Sequence, residues 1–379
     1  MSTQIQHDGP DALDDFAGPG GWDEGARLIG LRLFGVDHDK AACQTATVAG
    51  HARETADVTT HPSPDWARGR GHVSSPSCTL FSATGTGVGL LVLDILADGI
   101  RDILRGHDPA TVRDRTRAAI FPVALTQAQR TNAKRMTPWE PEKVAEKARL
   151  DAKIAALVLE PARRIAELEP EWVALEQVPD VLPLWQVYKH ELRAQGWSCF
   201  ALVLNAADYG VAQTRRRAIL GAHRTRTIAP PRPTHAEHPQ DADLFGDRLA
   251  GWVSMAEALA WDAQSEKRRS GSRWVFERPA TTIVGSFKPE VVAAPGYRTQ
   301  ESRQNAPGSV TVSVAEAGVL QSFRADFPWR GSKSKQYEQV GNAIPPLLAA
   351  HVLAAVTGRT PPSGEAVQAL TATQTEAAA

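Results

Sequence analysis

A thiol, a carboxylate and a group of guanidinium side chains are the residues of this sequence best suited to do chemistry. Cys78 stands in Val73-Ser74-Ser75-Pro76-Ser77-Cys78-Thr79-Leu80-Phe81-Ser82, where an apolar and small-residue run breaks into a proline-marked turn. That setting suits a placed nucleophile, although a lone cysteine is more often core than catalyst. Glu176 lies in Val173-Ala174-Leu175-Glu176-Gln177-Val178-Pro179. Its apolar lead-in puts the carboxylate at the carboxyl end of a strand, where α/β proteins build their sites. Gln213-Thr214-Arg215-Arg216-Arg217 follows. From Asp208 to Glu237 the chain carries Arg215, Arg216, Arg217, Arg224, Arg226 and Arg232 and no acidic residue between them, a density that suits phosphate contacts. Upstream, Phe16-Ala17-Gly18-Pro19-Gly20-Gly21 is a glycine turn able to bring backbone close to a ligand. Near the end comes Gln339-Val340-Gly341-Asn342-Ala343-Ile344-Pro345-Pro346.

The elements that would hold these residues alternate. The pattern predicts a helix from Trp22 to Ile29, a strand from Leu31 to Val36, a helix from about Lys40 to Ala49 and a short strand ending near Asp57. A helix near Pro161 to Leu168, a strand from Trp172 to Leu175, a helix near Leu184 to Gln195 and strands at Ser198 to Asn205 and Arg217 to Gly221 follow. Such alternation implies a parallel α/β sheet. Between Gly89 and about Leu157 runs a helical stretch rich in Arg, Ala, Asp and Glu. From Pro230 to Gln240 the chain turns rich in Pro and His, a boundary signal. Beyond it, short strand candidates at Thr281 to Val284 and Val310 to Val312 suggest a second, smaller domain. Val340 to Val356 reads as a loop and an apolar helix returning to the first. Residues 1–11 and the tail from about 360 read as disordered.

With 379 residues, 42% of them hydrophobic, the chain can fold a large core. A net charge of -1 gives no global attraction to nucleic acid, so any such binding must be local. Three widely spaced cysteines, Cys43, Cys78 and Cys199, fit reduced thiols and argue against a disulfide framework or a cysteine-based zinc site. No metal is expected. No run approaches the roughly 20 apolar residues of a membrane helix, and the start lacks signal-peptide character, so a cytoplasmic protein that avoids membranes is expected.

Taken in order, the glycine turn, the cysteine loop, the glutamate strand, the arginine element and the late Gly-Asn segment resemble the DNA (cytosine-5) methyltransferase family over roughly residues 12–358. The resemblance implies a Rossmann-like S-adenosylmethionine-dependent sheet with helices on both faces and a smaller, mostly irregular or β target-recognition domain. It places the catalytic domain at 12–222 with a helical insertion at about 89–157, the target-recognition domain at 223–330, and a returning segment at 331–358. It implies transfer of a methyl group to a flipped cytosine through an adduct of Cys78 at C6. Glu176 would serve N3 of the base, and Arg215 and Arg217 would hold the base and position the nucleophile loop or the DNA backbone. For S-adenosyl-L-methionine it implies Phe16, Gly18 and Gly20 in the loop, Asp37 on the ribose, His38 beside the adenine, Asp57 on the adenine amino group and Asn342 closing the site. Double-stranded DNA is the implied partner, for a monomer encoded by a bacterium or phage; whether a cognate restriction endonuclease accompanies it in a restriction-modification system stays open. Three alternatives stay open: a degenerate DNA-binding protein of the same fold, an RNA cytosine-5 methyltransferase, or transfer of a modified one-carbon group.

The sequence also departs from that pattern. Ser77 and Thr79 replace the usual Pro and Gln around the cysteine, and Gln177 replaces Asn after the glutamate. Asp15 takes an apolar strand position, so either it is partly exposed or the first strand is poorly formed. The insertion is expected to help grip DNA or to be an ornamental helical hairpin. Gly85, Gly87 and Gly89 suggest a hinge after Cys78.

Overall fold

The computed structural model describes residues 9–81, 87–239, 249–262, 272–285, 289–296 and 306–362. The chain divides into two compact units, one made of 1–56, 204–217 and 230–379 and the other of 57–203 and 218–229. Compactness therefore divides the chain differently from the functional division expected at residue 222.

The first unit opens with β1 (Ala12–Asp15), α1 (Gly21–Leu28), β2 (Leu33–Asp37), α2 (Lys40–Val48) and β3 (Ala52–Thr55). The strands pair in parallel in the order β3-β2-β1, with Ala12 opposite Leu33 and Phe34 opposite Ala52. Contrary to the expectation for Asp15, β1 is fully formed and both Asp14 and Asp15 are wholly buried. Burial, and then the neighbouring Asp23 carboxylate, push the Asp14 carboxyl well above the ordinary carboxylate range, against the pull of Arg53. That direction favours the neutral form of Asp14, which eases its burial in β1. Nearby, Arg53 donates to Asp23 at 2.7 Å with both side chains buried. Residues 9–11, expected to be disordered, are tied down: Asp11 N–H donates to the Arg32 carbonyl, and Arg32 N–H donates back to the Asp11 carboxylate. Residues 1–8 and 363–379 lie outside the described residues.

The second unit holds β4 (Gly71–Ser74), the four-residue helix α3 (Val88–Leu91), α4 (Leu93–Leu104), α5 (Pro109–Ala133), α6 (Pro141–Ala155), α7 (Glu160–Leu168), β5 (Trp172–Gln177) and α8 (Leu182–Ala194), followed by most of β6 (Ser198–Asn205) and of β7 (Arg216–His223), whose residues 204–205 and 216–217 fall in the first unit. The strand order is β4-β5-β7-β6, with β4 parallel and β7 antiparallel to β5. The sheet is therefore mixed, where alternation alone implied a parallel one. Every residue of β5 is buried, as expected of a strand covered on both faces. Val112, Ile120 and Ala124 of α5 and Ala148, Ala152 and Ala155 of α6 enter the same core as Leu96, Leu159 and Trp185. The insertion is thus part of the body of this unit and not an appended hairpin.

The chain then returns to the first unit. Its short ladders pair 213–214 with 280–281, 235–236 with 250–251 and 291–292 with 310–311. Helices α9 (Met255–Ala258), α10 (Val314–Leu320), α11 (Lys333–Asn342) and α12 (Pro346–Thr357) follow, so the Gly341-Asn342 segment ends a helix instead of lying in a loop. Together α11 and α12 are long and apolar enough to cross a membrane by composition, yet 83% of that apolar window is buried in the protein. The contact with α1 explains this. A Cβ on Gly21 would lie 2.4 Å from the Ile344 carbonyl and one on Gly25 2.6 Å from the Pro346 carbonyl, so only glycine permits the approach.

Candidate active site

In the second unit, β4 delivers the chain into the Ser75–Leu80 turn that carries a half-buried Cys78. Phe81 N–H closes this turn on the Cys78 carbonyl at 2.9 Å, and the Ser77 and Thr79 hydroxyls pair at 2.9 Å. These two departures from the family pattern thus satisfy each other. Glu176 stands at the end of β5, 6% exposed, opposite Ile219 of β7. Gln177 links the two: its Nε2 donates to the Pro76 carbonyl at 2.7 Å. A buried amide one residue after the glutamate therefore holds the backbone two residues before the cysteine. Of the expected hinge glycines, Gly85 lies outside the described residues and Gly87 is left-handed at φ +69. Gly89 is no hinge: a Cβ there would lie 2.5 Å from the Phe81 ring, so it is a packing contact.

In the first unit the glycine turn is strained as a tight loop must be. Phe16 has φ +59, Gly18 +53 and Gly20 +108, and Gly20 caps α1. Phe16 holds a left-handed conformation that costs a non-glycine residue roughly 1–3 kcal/mol. A Cβ at Gly18 would meet nothing within 4 Å, so the loop faces open space there. Gly18 N–H and Asp39 N–H donate to opposite oxygens of Asp37, at 2.9 and 2.8 Å. These bonds fix the carboxylate at the end of β2 and leave it further lone pairs for a hydroxyl ligand. His38 is 82% exposed along its side chain, 3.7 Å from Asp37. Asp39 caps α2 and pairs with Lys335 at 3.0 Å. Burial raises the Asp39 carboxyl, but Lys335 and the cap amides outweigh it and hold it below its ordinary value. An open glycine loop beside an oriented carboxylate fits a cofactor with ribose hydroxyls.

The arginine element divides its labour. Arg215 is 1% exposed, and its two terminal nitrogens donate to the carbonyls of Ile283 at 3.1 Å and Gly341 at 2.6 Å. Arg217 is half-buried and Arg216 exposed, as alternation in a strand requires. Of the other arginines in this basic stretch, Arg224, Arg226 and Arg232 are exposed. Gln213 extends the stitching: its Nε2 donates to Gln321 at 2.6 Å, while Gln321 donates to the carbonyls of Val340 and Ala343. Gly341 allows this closeness, since a Cβ would fall 2.0 Å from the Gly285 nitrogen. Asn342 is exposed. Asp57 lies in the second unit, two residues beyond β3, with its Oδ1 accepting from the Thr59 N–H and hydroxyl.

Residues 143–357 match the family model of the C-5 cytosine-specific DNA methylase, more than half of the chain. The chain belongs to this family. It is 34% identical over 183 residues to the Type II methyltransferase M1.HphI of Haemophilus parahaemolyticus, covering 42% of this chain and 48% of that one. To the Type II methyltransferase M.HgiDI of Herpetosiphon aurantiacus it is 28% identical over 209 residues, covering 52% and 62%. The matches thus span about half to three fifths of these relatives' length. The Dnmt2 methyltransferase of S. pombe shares the fold at a TM-score of 0.52 and 11% identity, covering 92% of this chain and 98% of that one. The α/β methyltransferase architecture is shared with it, with a mixed sheet and helices.

Within this family member, sequence reasoning missed Gln321 and the uses of Gln177 and Gln213. Gln177 was visible only as a substitution. Gln321 sits between Leu320 and Ser322 just after α10, and nothing in its spacing marks it as a connector.

Proposed function

We propose that this protein methylates C5 of cytosine in double-stranded DNA. The supporting observation is the hydrogen bond from Gln177 to the Pro76 carbonyl, which makes the Cys78 turn and the Glu176 strand end one rigid piece. C5 of cytosine is a poor nucleophile, and a base inside a duplex is out of reach, so the cytosine is turned out of the stack at a cost of a few kcal/mol. The Cys78 thiolate adds to C6, and the ring gains electron density at C5. Glu176 supplies the proton at N3 that this density requires. Arg217, half-buried where Arg215 is fully enclosed, holds O2 with a planar guanidinium, and Arg215 fixes the element behind it. After methyl transfer a base takes the proton from C5, and the thiolate leaves C6, restoring the aromatic ring. S-adenosylmethionine supplies an electrophilic methyl group.

For that cofactor, Phe16, Gly18 and Gly20 form the loop, Asp37 accepts the ribose hydroxyls, and His38 flanks the adenine. Asp57 takes the adenine amino group, and Asn342 closes the site. Residues 223–330 read the target, residues 12–222 and 331–358 carry the chemistry, and the protein acts as a cytoplasmic monomer beside a cognate restriction endonuclease.

Duplex DNA of mixed sequence with 5-fluorocytosine in place of cytosine tests the assignment, because fluorine at C5 blocks release. Incubated with S-adenosylmethionine, the protein forms a covalent complex stable in denaturing gels, and Cys78→Ala forms none. An adduct of equal yield in the alanine variant, or formed on RNA in preference to DNA, overturns the reading.

A further inference from the structure

Asp57 opens a turn that runs to Ser63 in the second unit, and the helical insertion grips that turn. From α6, Lys153 donates to the Asp57 Oδ2 at 3.2 Å, while Thr59 holds Oδ1 through its N–H and hydroxyl. From α5, Arg113 Nη1 donates to the Thr59 carbonyl and to Glu160, each at 3.0 Å. Glu160 is almost completely buried and also accepts from Arg163, whose Nη2 reaches the Val58 carbonyl at 2.7 Å. The three anchors supplied by helices, Lys153, Arg113 and Arg163, are cations, and each holds a carbonyl or carboxylate oxygen of the turn. Burial alone would raise the Asp57 carboxyl, but the Thr59 and Lys153 hydrogen bonds outweigh it and hold it below its ordinary value. The arrangement fixes the plane of one carboxylate.

We propose that Lys153 and Arg113 are positioning residues for Asp57, so that the insertion serves cofactor recognition and not the grip on DNA. The proposal rests on the assignment of Asp57 to the adenine amino group. With both edges of the carboxylate held, one lone pair of Oδ2 stays directed outward to accept the 6-amino hydrogen. Without Lys153 the carboxylate turns about its χ2 axis and that direction is lost.

Calorimetric titration of the full chain with S-adenosylhomocysteine, and with its analogue lacking the 6-amino group, tests this. Lys153→Met weakens S-adenosylhomocysteine binding about threefold to tenfold, the scale of a half-exposed charged hydrogen bond, and Lys153→Arg restores it. The analogue binds wild type and Lys153→Met alike. Equal losses for both ligands mean general loosening, and an unchanged affinity for S-adenosylhomocysteine means no positioning; either overturns the proposal. A drop in affinity for a mixed-sequence DNA duplex without a drop for S-adenosylhomocysteine overturns it in favour of a DNA grip. Wild-type protein that takes up neither ligand instead overturns the functional reading itself.

Discussion

Arg215 and Arg217 look interchangeable in the sequence and are not so in the structure. Removing the Arg215 side chain leaves two buried carbonyls without their donors, and each unsatisfied buried polar group costs about 1–3 kcal/mol. Arg215→Ala should therefore lower stability by about 2–4 kcal/mol, and adduct formation is lost with the fold. Arg217→Ala should change stability by less than about 1 kcal/mol and abolish adduct formation in a folded protein. Urea titration beside the fluorocytosine assay separates the two; a stable Arg215→Ala protein would refute the division of labour. Lysine is no remedy at position 215, because one ammonium cannot span two carbonyls on different segments.

Among the elements, close approaches decide what can be exchanged. Gly341 lies against Gly285, where an added methyl would overlap backbone that has no rotamer to escape into. Gly341→Ala should cost about 2–4 kcal/mol, read as a lower thermal midpoint, whereas Gly50→Ala, left-handed but open to space, should cost about 1 kcal/mol. Equal losses at the two sites would show that the overlap is relieved by movement. Most elements were legible beforehand: α1, α2, α7, α8 and β6 fall within about two residues of their expected ranges because their apolar periodicity survives to the ends. Less legible was β1, whose two acids hide a buried strand until Arg53 and Asp23 are seen beside it. The cysteine, glutamate and arginine positions announce themselves by residue type and neighbours. The amides of Gln177, Gln213 and Gln321 do not: the first two reach carbonyls 101 and 107 residues away, Gln321 reaches carbonyls 19 and 22 residues on, and carbonyls have no sequence signature.

For the molecule as a whole, pH sets a limit on stability through buried imidazoles. Burial, and then His235, push the His351 pKa down to about 4, and its ring lies 5.2 Å from that of Tyr209. A depressed folded-state value favours the neutral ring, so its contribution is complete above the ordinary histidine pKa and is lost as pH falls toward 4. Between pH 6.5 and 5 this amounts to about 2 kcal/mol of lost stability, at 1.36 kcal/mol per pKa unit. His223 and His235 are lowered in the same sense, again by burial first. The carboxylates Asp39 and Asp57 act only at lower pH, since their depressed values lie under the ordinary carboxylate range. Urea midpoints at pH 6.5 and 5 check this: the wild-type fall should shrink in His351→Phe, and an equal fall in both proteins would remove His351 as the cause.

The packing of α1 on α12 also imposes an order on biosynthesis. Gly21 and Gly25 emerge from the ribosome some three hundred residues before Ile344 and Pro346, the backbone they must nestle against. At about 5–20 residues per second, the glycine loop waits unsupported for tens of seconds. The turn from Phe16 to Gly21 therefore lacks its backing until translation has passed α12.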